Sequence, residues 1–172
     1  MDVMQYIDKG GMIMYILLGL NILGWSVMLL KFMQYWVLFL KKDKTVREIY
    51  YRIDSYRTEK KYVLGEDILR ETMLGYESGL STVKIIASIA PLLGLLGTVV
   101  GVMFAFDTIA KQGLGDPSVF SSGISLALVT TVGGLIVAIP HYVGYNYLIG
   151  MLDRLEAQLT KELNQKIYGE HS

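Results

Sequence analysis

Three threonines inside long apolar segments are the residues of this chain best placed to do chemistry. Thr98 lies in a segment at residues 85–106, and Thr130 and Thr131 lie in another at residues 119–152. Hydroxyl groups that line a path through a bilayer can coordinate or pass a cation. Thr98 and Thr131 each follow about a dozen residues of their segment, so we expect them at the same depth. The alternative is that each hydroxyl bonds back to a carbonyl of its own helix.

Neither of these two segments contains an aspartate, glutamate, lysine or arginine. A proton or sodium ion needs a carboxylate or a comparable ligand to cross a membrane cheaply, and intramembrane acids mark such paths. If this chain takes part in ion conduction, another polypeptide must therefore supply the titrating acid.

Small residues recur every three or four positions in both segments. Such a stripe lets another backbone approach closely, as in membrane helix packing, and plain packing remains an alternative to a pore. The first stripe consists of Pro91, Gly94, Gly97, Gly101 and Ala105. The second consists of Ala127, Thr131, Gly134 and Ala138, with Thr130 beside it.

A few charged, titratable or aromatic residues lie near the ends of the apolar segments. Asp107 follows residues 85–106 and is expected either at a pore mouth or as a solvated interfacial acid. His141 is expected near the opposite boundary, as an interfacial histidine or a proton exit. Lys31 ends an earlier apolar segment and is expected to extend its ammonium group to the lipid headgroups. Tyr35 and Trp36 are expected at the membrane interface.

Composition indicates a membrane protein. The 172 residues are 52% hydrophobic with a net charge of zero, and the apolar residues are concentrated in blocks. Residues 12–30, 85–106 and 119–152 each approach or exceed the roughly 20 residues that span a bilayer. The absence of cysteine excludes disulfides and a cysteine nucleophile, and balanced charge argues against a nucleic-acid partner. The sequence predicts no catalytic residues, no metal site and no cofactor.

Lysine and arginine predict the orientation. Residues 41–83 carry nine of them and the tail after residue 152 carries three, whereas the leader and the loop after residue 106 carry one each. The positive-inside rule therefore places the N-terminus in the periplasm and the C-terminus in the cytoplasm. The predicted division is a periplasmic leader (1–11), a first span with its cytoplasmic extension (12–40), a cytoplasmic helical region (41–83), a second span (84–109), a periplasmic loop (110–118), a third span (119–152) and a cytoplasmic C-terminal helix (153–172).

Outside the spans the periodicity predicts amphipathic helices, so the expected fold class is all-α. Turns are expected at residues 58–65 and 113–117. The predicted apolar positions of the first cytoplasmic helix are Val46, Ile49, Tyr50, Ile53 and Tyr56. Those of the second are Ile68, Leu69, Met73, Tyr76 and Leu80. Those of the tail are Leu155, Leu159, Leu163 and Ile167.

The stretches IAPLLGLLGTVVGVMFAF and SLALVTTVGGLIVAIP closely resemble the paired signature of the MotA/TolQ/ExbB family, and LGWSVMLLKF is similar to its ExbB branch. The resemblance implies a polytopic inner-membrane protein that forms a homo-oligomeric ring, a pentamer, with long helices extending into the cytoplasm. It implies an enclosed single-span partner of ExbD or TolR type that carries the titrating aspartate, and a TonB-like protein that receives the work. On this resemblance, Thr98 and Thr131 match pore-lining hydroxyl positions and Pro91 matches the motif proline.

One position departs from the pattern of that family. In the family that this chain resembles, many ExbB and TolQ proteins have a glutamate three residues after the motif glycine. If Gly123 is that glycine, the corresponding residue of this chain is Leu126. A TolQ-like subunit, a MotA-like stator subunit and a non-conducting scaffold for a single-span partner therefore stay open as alternatives to an ExbB-like motor subunit.

Overall fold

The computed structural model describes residues 3–54, 56, 58–113 and 117–169, and these residues form helices without any strand. The predicted all-α fold is confirmed. The helices are α1 (Val3–Leu40), α2 (Lys42–Ile53), α3 (Thr58–Glu77), α4 (Leu80–Gln112) and α5 (Pro117–Gly169).

Three of the helices, α1, α4 and α5, are long and apolar enough to cross a membrane, as predicted. The qualifying stretches are Tyr6–Leu40, Leu80–Lys111 and Phe120–Tyr168. Large apolar side chains such as Leu92 and Met103 of α4 are mostly exposed. Lipid tails are as apolar as leucine, so a bilayer accommodates such surfaces where water would not.

The chain divides into two compact units. The first comprises the described residues up to Ser26 together with those of Thr82–Gly144, and it contains the N-terminal part of α1, most of α4 and the first half of α5. Its core consists of Leu17, Ile86, Ala90, Val137 and Ala138. The second unit comprises the described residues of Val27–Ser81 and those from Tyr145 onward.

Glycines with positive φ mark the breaks between or within helices. Gly11 interrupts α1 with φ 57° and ψ −151°, so the predicted leader is helical from Val3 up to this break. Gly113 has φ 78° and follows the end of α4, the usual place for a glycine cap. Residues 114–116 of the predicted turn at 113–117 lie outside the described residues. Helix α5 begins at Pro117, and proline is a favoured first helical residue.

The apolar faces predicted outside the spans are buried in the second unit. In α2 the buried positions are Val46, Ile49, Tyr50 and Ile53. In the tail of α5 they are Leu155, Leu159, Leu163 and Ile167. Tyr56 is exposed, because α2 ends at Ile53 before reaching it. Helical periodicity therefore located the faces, although it placed one residue too many on α2.

The prediction of a turn at residues 58–65 is wrong, since α3 begins at Thr58 and runs through this segment. The chain turns earlier, after Asp54, which accepts a hydrogen bond from Lys61 at 2.7 Å. That bond and the charge of Lys61 lower the pKa of the Asp54 carboxyl. Gly65 serves close packing instead of a turn: a Cβ there would lie 3.2 Å from both Ile53 Cδ1 and Leu163 Cδ2.

Candidate functional site

In the first unit, α4 and α5 pack so closely that their backbones meet. A Cβ placed on Gly134 would lie 2.6 Å from the carbonyl oxygen of Ala90, and one placed on Gly101 would lie 2.6 Å from that of Gly123. Neither position has room for a methyl group. Residues with higher numbers on α4 contact residues with lower numbers on α5, so the two helices run antiparallel.

The two predicted small-residue stripes face each other across this seam. Gly94 of α4 approaches Thr130 of α5, where an added Cβ would lie 2.9 Å from the Thr130 carbonyl oxygen. The other stripe residues that are buried are Gly97, Ala105, Ala127 and Ala138. Pro91 is only partly buried and sits inside α4. The close approach predicted for another backbone is thus made within this chain.

The three predicted threonines meet at this seam around two backbone carbonyls. We call the hydroxyls of Thr98, Thr130 and Thr131, with the carbonyls of Gly94 and Ala127, the threonine cluster. Thr98 Oγ1 and Thr131 Oγ1 are hydrogen-bonded to each other. Thr98 Oγ1 also lies 3.3 Å from the Gly94 oxygen and 3.2 Å from the Ala127 oxygen. Thr131 Oγ1 lies 3.3 Å from the same Gly94 oxygen, and Thr130 Oγ1 lies 3.4 Å from it.

Burial separates Thr130 from the other two threonines. Its side chain is fully buried against Gly97, and its hydroxyl lies 3.0 Å from Ala127 O and 3.1 Å from Leu126 O of its own helix. The side chains of Thr98 and Thr131 are only partly buried. Thr98 Oγ1 likewise bonds to a carbonyl oxygen of its own helix, that of Gly94. Burial therefore marks Thr130 as a packing residue, and the Thr98–Thr131 pair is the accessible part of the cluster.

The threonine cluster can solvate a cation or hydrogen-bond to a carboxyl group, but it cannot store a proton near neutral pH. A hydroxyl has one hydrogen and two lone pairs, so the cluster keeps acceptor capacity after its internal bonds form. Oxygen atoms of this kind are the ligands that hard cations prefer. Across the described part of the chain, no group of His, Cys, Asp and Glu side chains is arranged to hold a metal ion.

Asp107 is not part of the threonine cluster. Its carboxylate pairs with Lys111 Nζ at 2.7 Å, one helical turn further along α4, and both side chains are largely exposed. Such an exposed pair contributes little to stability, and its two opposite charges balance each other.

His141 lies apart from the threonine cluster and is enclosed by protein. Its side chain has 0% exposure. Its predicted depth near the membrane boundary stays a prediction. Nδ1 lies 2.7 Å from the carbonyl oxygen of Val137, and because a carbonyl oxygen only accepts, Nδ1 is the donor of this bond. Nε2 has no hydrogen-bond partner among the described residues. The ring packs against Gly24 and edge-on to Trp25, with 6.1 Å between ring centroids.

Lys31 does not extend freely as predicted, because its ammonium group is turned into the protein, and the side chain of Tyr35 is buried beside it. The interfacial depth of Tyr35 stays a prediction. In the second unit, Lys31 Nζ and Tyr35 Oη both donate to the carbonyl oxygen of Tyr76, each at 3.0 Å. α3 ends at Glu77, so this carbonyl lies in the last turn and lacks an intrahelical partner. A cation is favourable at a helix C-terminus. Sequence reasoning missed this cap because the bonded residues are more than 40 positions apart.

The chain is similar in sequence to known membrane proteins. It matches the MotA/TolQ/ExbB proton channel family over residues 43–161. It is 39% identical to the biopolymer transport protein exbB1 of Vibrio cholerae over 97 residues, which cover 56% of this chain and 42% of that protein. It is 45% identical to the biopolymer transport protein ExbB of Aquifex aeolicus over 64 residues, 37% of this chain and 43% of that protein.

A third relative extends the same pattern. The chain is 42% identical to the biopolymer transport protein ExbB of Helicobacter pylori over 82 residues, which cover 48% of this chain and 57% of that protein. The chain thus spans about half the length of the curated relatives it matches.

Proposed function

This chain belongs to the MotA/TolQ/ExbB proton channel family, and from that premise we propose that it is an ExbB-like subunit of an ion-driven motor in the bacterial inner membrane. Several copies, a pentamer, form a ring around an ExbD- or TolR-like single-span partner. The N-terminus is periplasmic, and the C-terminal part of α5 extends into the cytoplasm with α2 and α3. The proton motive force, acting through this complex, energises a TonB-like protein for outer-membrane transport.

One observation carries the proposal: an accessible pair of hydroxyls stands between two helices that have no acidic residue of their own in the apolar segments. Thr98 and Thr131 are bonded to each other at the α4–α5 seam. An aspartate on the partner would exchange its proton while passing this pair, which stabilises the carboxyl group by hydrogen bonds. In this proposal Thr98 and Thr131 line the pathway and Thr130 supports them from behind. Asp107, whose charge Lys111 balances, lies near the entrance, and the enclosed His141 has no part in the pathway.

The proposal is tested by removing the two hydroxyls without changing side-chain volume. Thr98→Val with Thr131→Val should lower proton flux into liposomes containing the chain and its single-span partner by roughly tenfold or more, because hydrogen bonds to a charged group contribute about 1.5–3 kcal/mol. Flux is followed with a pH-sensitive dye under an imposed membrane potential.

The matched control is Thr98→Ser with Thr131→Ser, which keeps both hydroxyls and should retain most of the flux. The mass of the purified complex shows whether assembly is intact in each variant. Undiminished flux through an intact complex that carries both valines would contradict the proposed role of the pair.

A non-conducting scaffold is the second candidate, and Leu126 favours it. This partly exposed apolar residue stands where many ExbB and TolQ proteins carry a glutamate, and its backbone carbonyl lies 3.1 Å from Thr130 Oγ1. The same liposome assay separates the two candidates, since a scaffold gives no partner-dependent flux even before any threonine is changed.

A further inference from the structure

We infer that two opposite flanks of α5 in the second unit are the complementary halves of a contact between neighbouring copies of this chain. The inference rests on the proposed function for the existence of a ring. It goes further by assigning the residues that join one copy to the next in this unit.

The first half is a cavity of about 520 Å³ beside Arg154, which we call the basic flank. Phe39 of α1 and Tyr147, Arg154 and Gln158 of α5 are among its lining residues. Phe39 and Tyr147 are 44% and 66% exposed. Arg154 forms no ion pair or hydrogen bond with any residue that the structure describes. The basic flank therefore combines uncovered aromatic surface with an unpaired cation.

The second half is a cavity of about 530 Å³ between α3 and α5, which we call the acidic flank. Its lining includes three acids, Glu77, Asp153 and Glu156, against the single base Arg70. None of these four side chains forms an ion pair within the described residues. Leu74, which also lines this cavity, is 58% exposed. The acidic flank thus carries excess negative charge beside uncovered apolar surface.

The two flanks point in different directions from the same stretch of helix. An α-helix turns about 100° per residue, so Arg154 and Glu156 project about 200° apart. A closed ring of identical copies uses a heterologous interface, in which one face of each copy meets a different face of the next. The basic flank of one copy and the acidic flank of the next have opposite charge, so they meet this requirement. This complementarity identifies a second copy of the chain as the occupant of each flank.

Cysteine crosslinking tests this contact directly, because the natural chain has no cysteine. Residues two apart on a helix do not face each other, so Arg154→Cys and Glu156→Cys in one chain cannot bridge internally. Oxidation of the double variant in membranes should give a ladder of crosslinked oligomers up to the full ring. Arg154→Cys is also combined in turn with Asp153→Cys and with Glu77→Cys, since any of the three acids can be the neighbour of Arg154. Each single-cysteine variant should give no ladder.

Charge reversal provides the second measurement. Arg154→Glu should raise the dissociation constant between subunits about tenfold or more, since it sets like charges against each other. Adding Asp153→Arg and Glu156→Arg to this variant reverses the charge of the acidic flank as well, so the two flanks are again opposite in charge and association should be restored. The control is Arg47→Glu, the same change at an exposed residue of α2 that lines neither cavity, and it should leave association unchanged.

The outcomes separate the inference from the proposed function. An intact ring with normal proton flux, but no ladder from any of the three cysteine pairs, would overturn the inference and leave the motor in place. Loss of a bound anionic lipid from Arg154→Glu in native mass spectrometry, with unchanged subunit association, would also overturn it and assign the basic flank to a headgroup. A purified protein that is monomeric would refute the ring itself and the inference with it.

Discussion

At the scale of single residues, three similar threonines have different surroundings. Thr130 is fully buried against Gly97, whereas Thr98 and Thr131 are bonded to each other and partly exposed. Thr98 and Thr130 both also bond to a carbonyl oxygen of their own helix. In the proposed motor, burial therefore decides which of the three hydroxyls a carboxyl group of the partner can reach. Thr130→Val should disturb packing at the seam, while changes at the other two positions should act on ion transfer.

The cap on α3 gives a residue-scale prediction. Lys31→Met keeps the apolar stem and removes the charge, and it should cost about 1 kcal/mol because Tyr35 still donates to the Tyr76 carbonyl. Lys31→Met with Tyr35→Phe leaves that carbonyl without a side-chain donor and should cost about 2–3 kcal/mol. Thermal unfolding in detergent should show a fall of about 2–4 °C in Tm per kcal/mol.

The matched control is Lys44→Met, which removes an exposed ammonium from α2 and should leave the Tm nearly unchanged. If the double variant at Lys31 and Tyr35 melted at the wild-type temperature, the cap would have no energetic role.

At the scale of helices, a glycine on α1 makes room for the histidine ring on α5. A Cβ on Gly24 would overlap the His141 ring and lie 3.2 Å from Ile86 Cδ1, so Gly24→Ala should destabilise the protein by about 1–3 kcal/mol. His141→Ala removes the obstructing ring. The double variant should therefore cost less than the sum of the two single variants, by about 1 kcal/mol or more.

Gly19→Ala on the same helix is the control for this cycle. A Cβ there has nothing within 4 Å, and alanine favours a helix over glycine, so this variant should be neutral or slightly stabilising. Additive costs for Gly24 and His141 in equilibrium unfolding measurements would mean that the two positions do not constrain each other.

Helices could be predicted from the sequence far better than their contacts. Blocks of apolar residues and a helical period arise from local sequence, and both the three long apolar helices and the buried positions of α2 and the tail follow them. The cap by Lys31 depends on where α3 ends, and the enclosure of His141 depends on a glycine on another helix. Gly65 looked like part of a turn because a glycine that permits close packing has the same local signature as one that breaks a helix.

At the scale of the whole molecule, the proposed function divides the ion pathway between two polypeptides. The apolar segments of α4 and α5 contain hydroxyls and carbonyls but no acidic side chain. The chain nevertheless belongs to a family of proton channels. In the proposed motor, a carboxyl group from a partner completes the pathway, and the threonine cluster at the seam hydrogen-bonds to it. The proposed contact between flanks of α5 would hold copies of the chain around that partner.

The most direct test is proton flux measured in liposomes with and without a single-span partner that carries an aspartate in its apolar segment. The proposed division between chain and partner predicts no selective flux from the purified chain alone, flux when the partner is present, and loss of that flux when the partner's aspartate is replaced by asparagine. A selective proton current through the chain alone would contradict it.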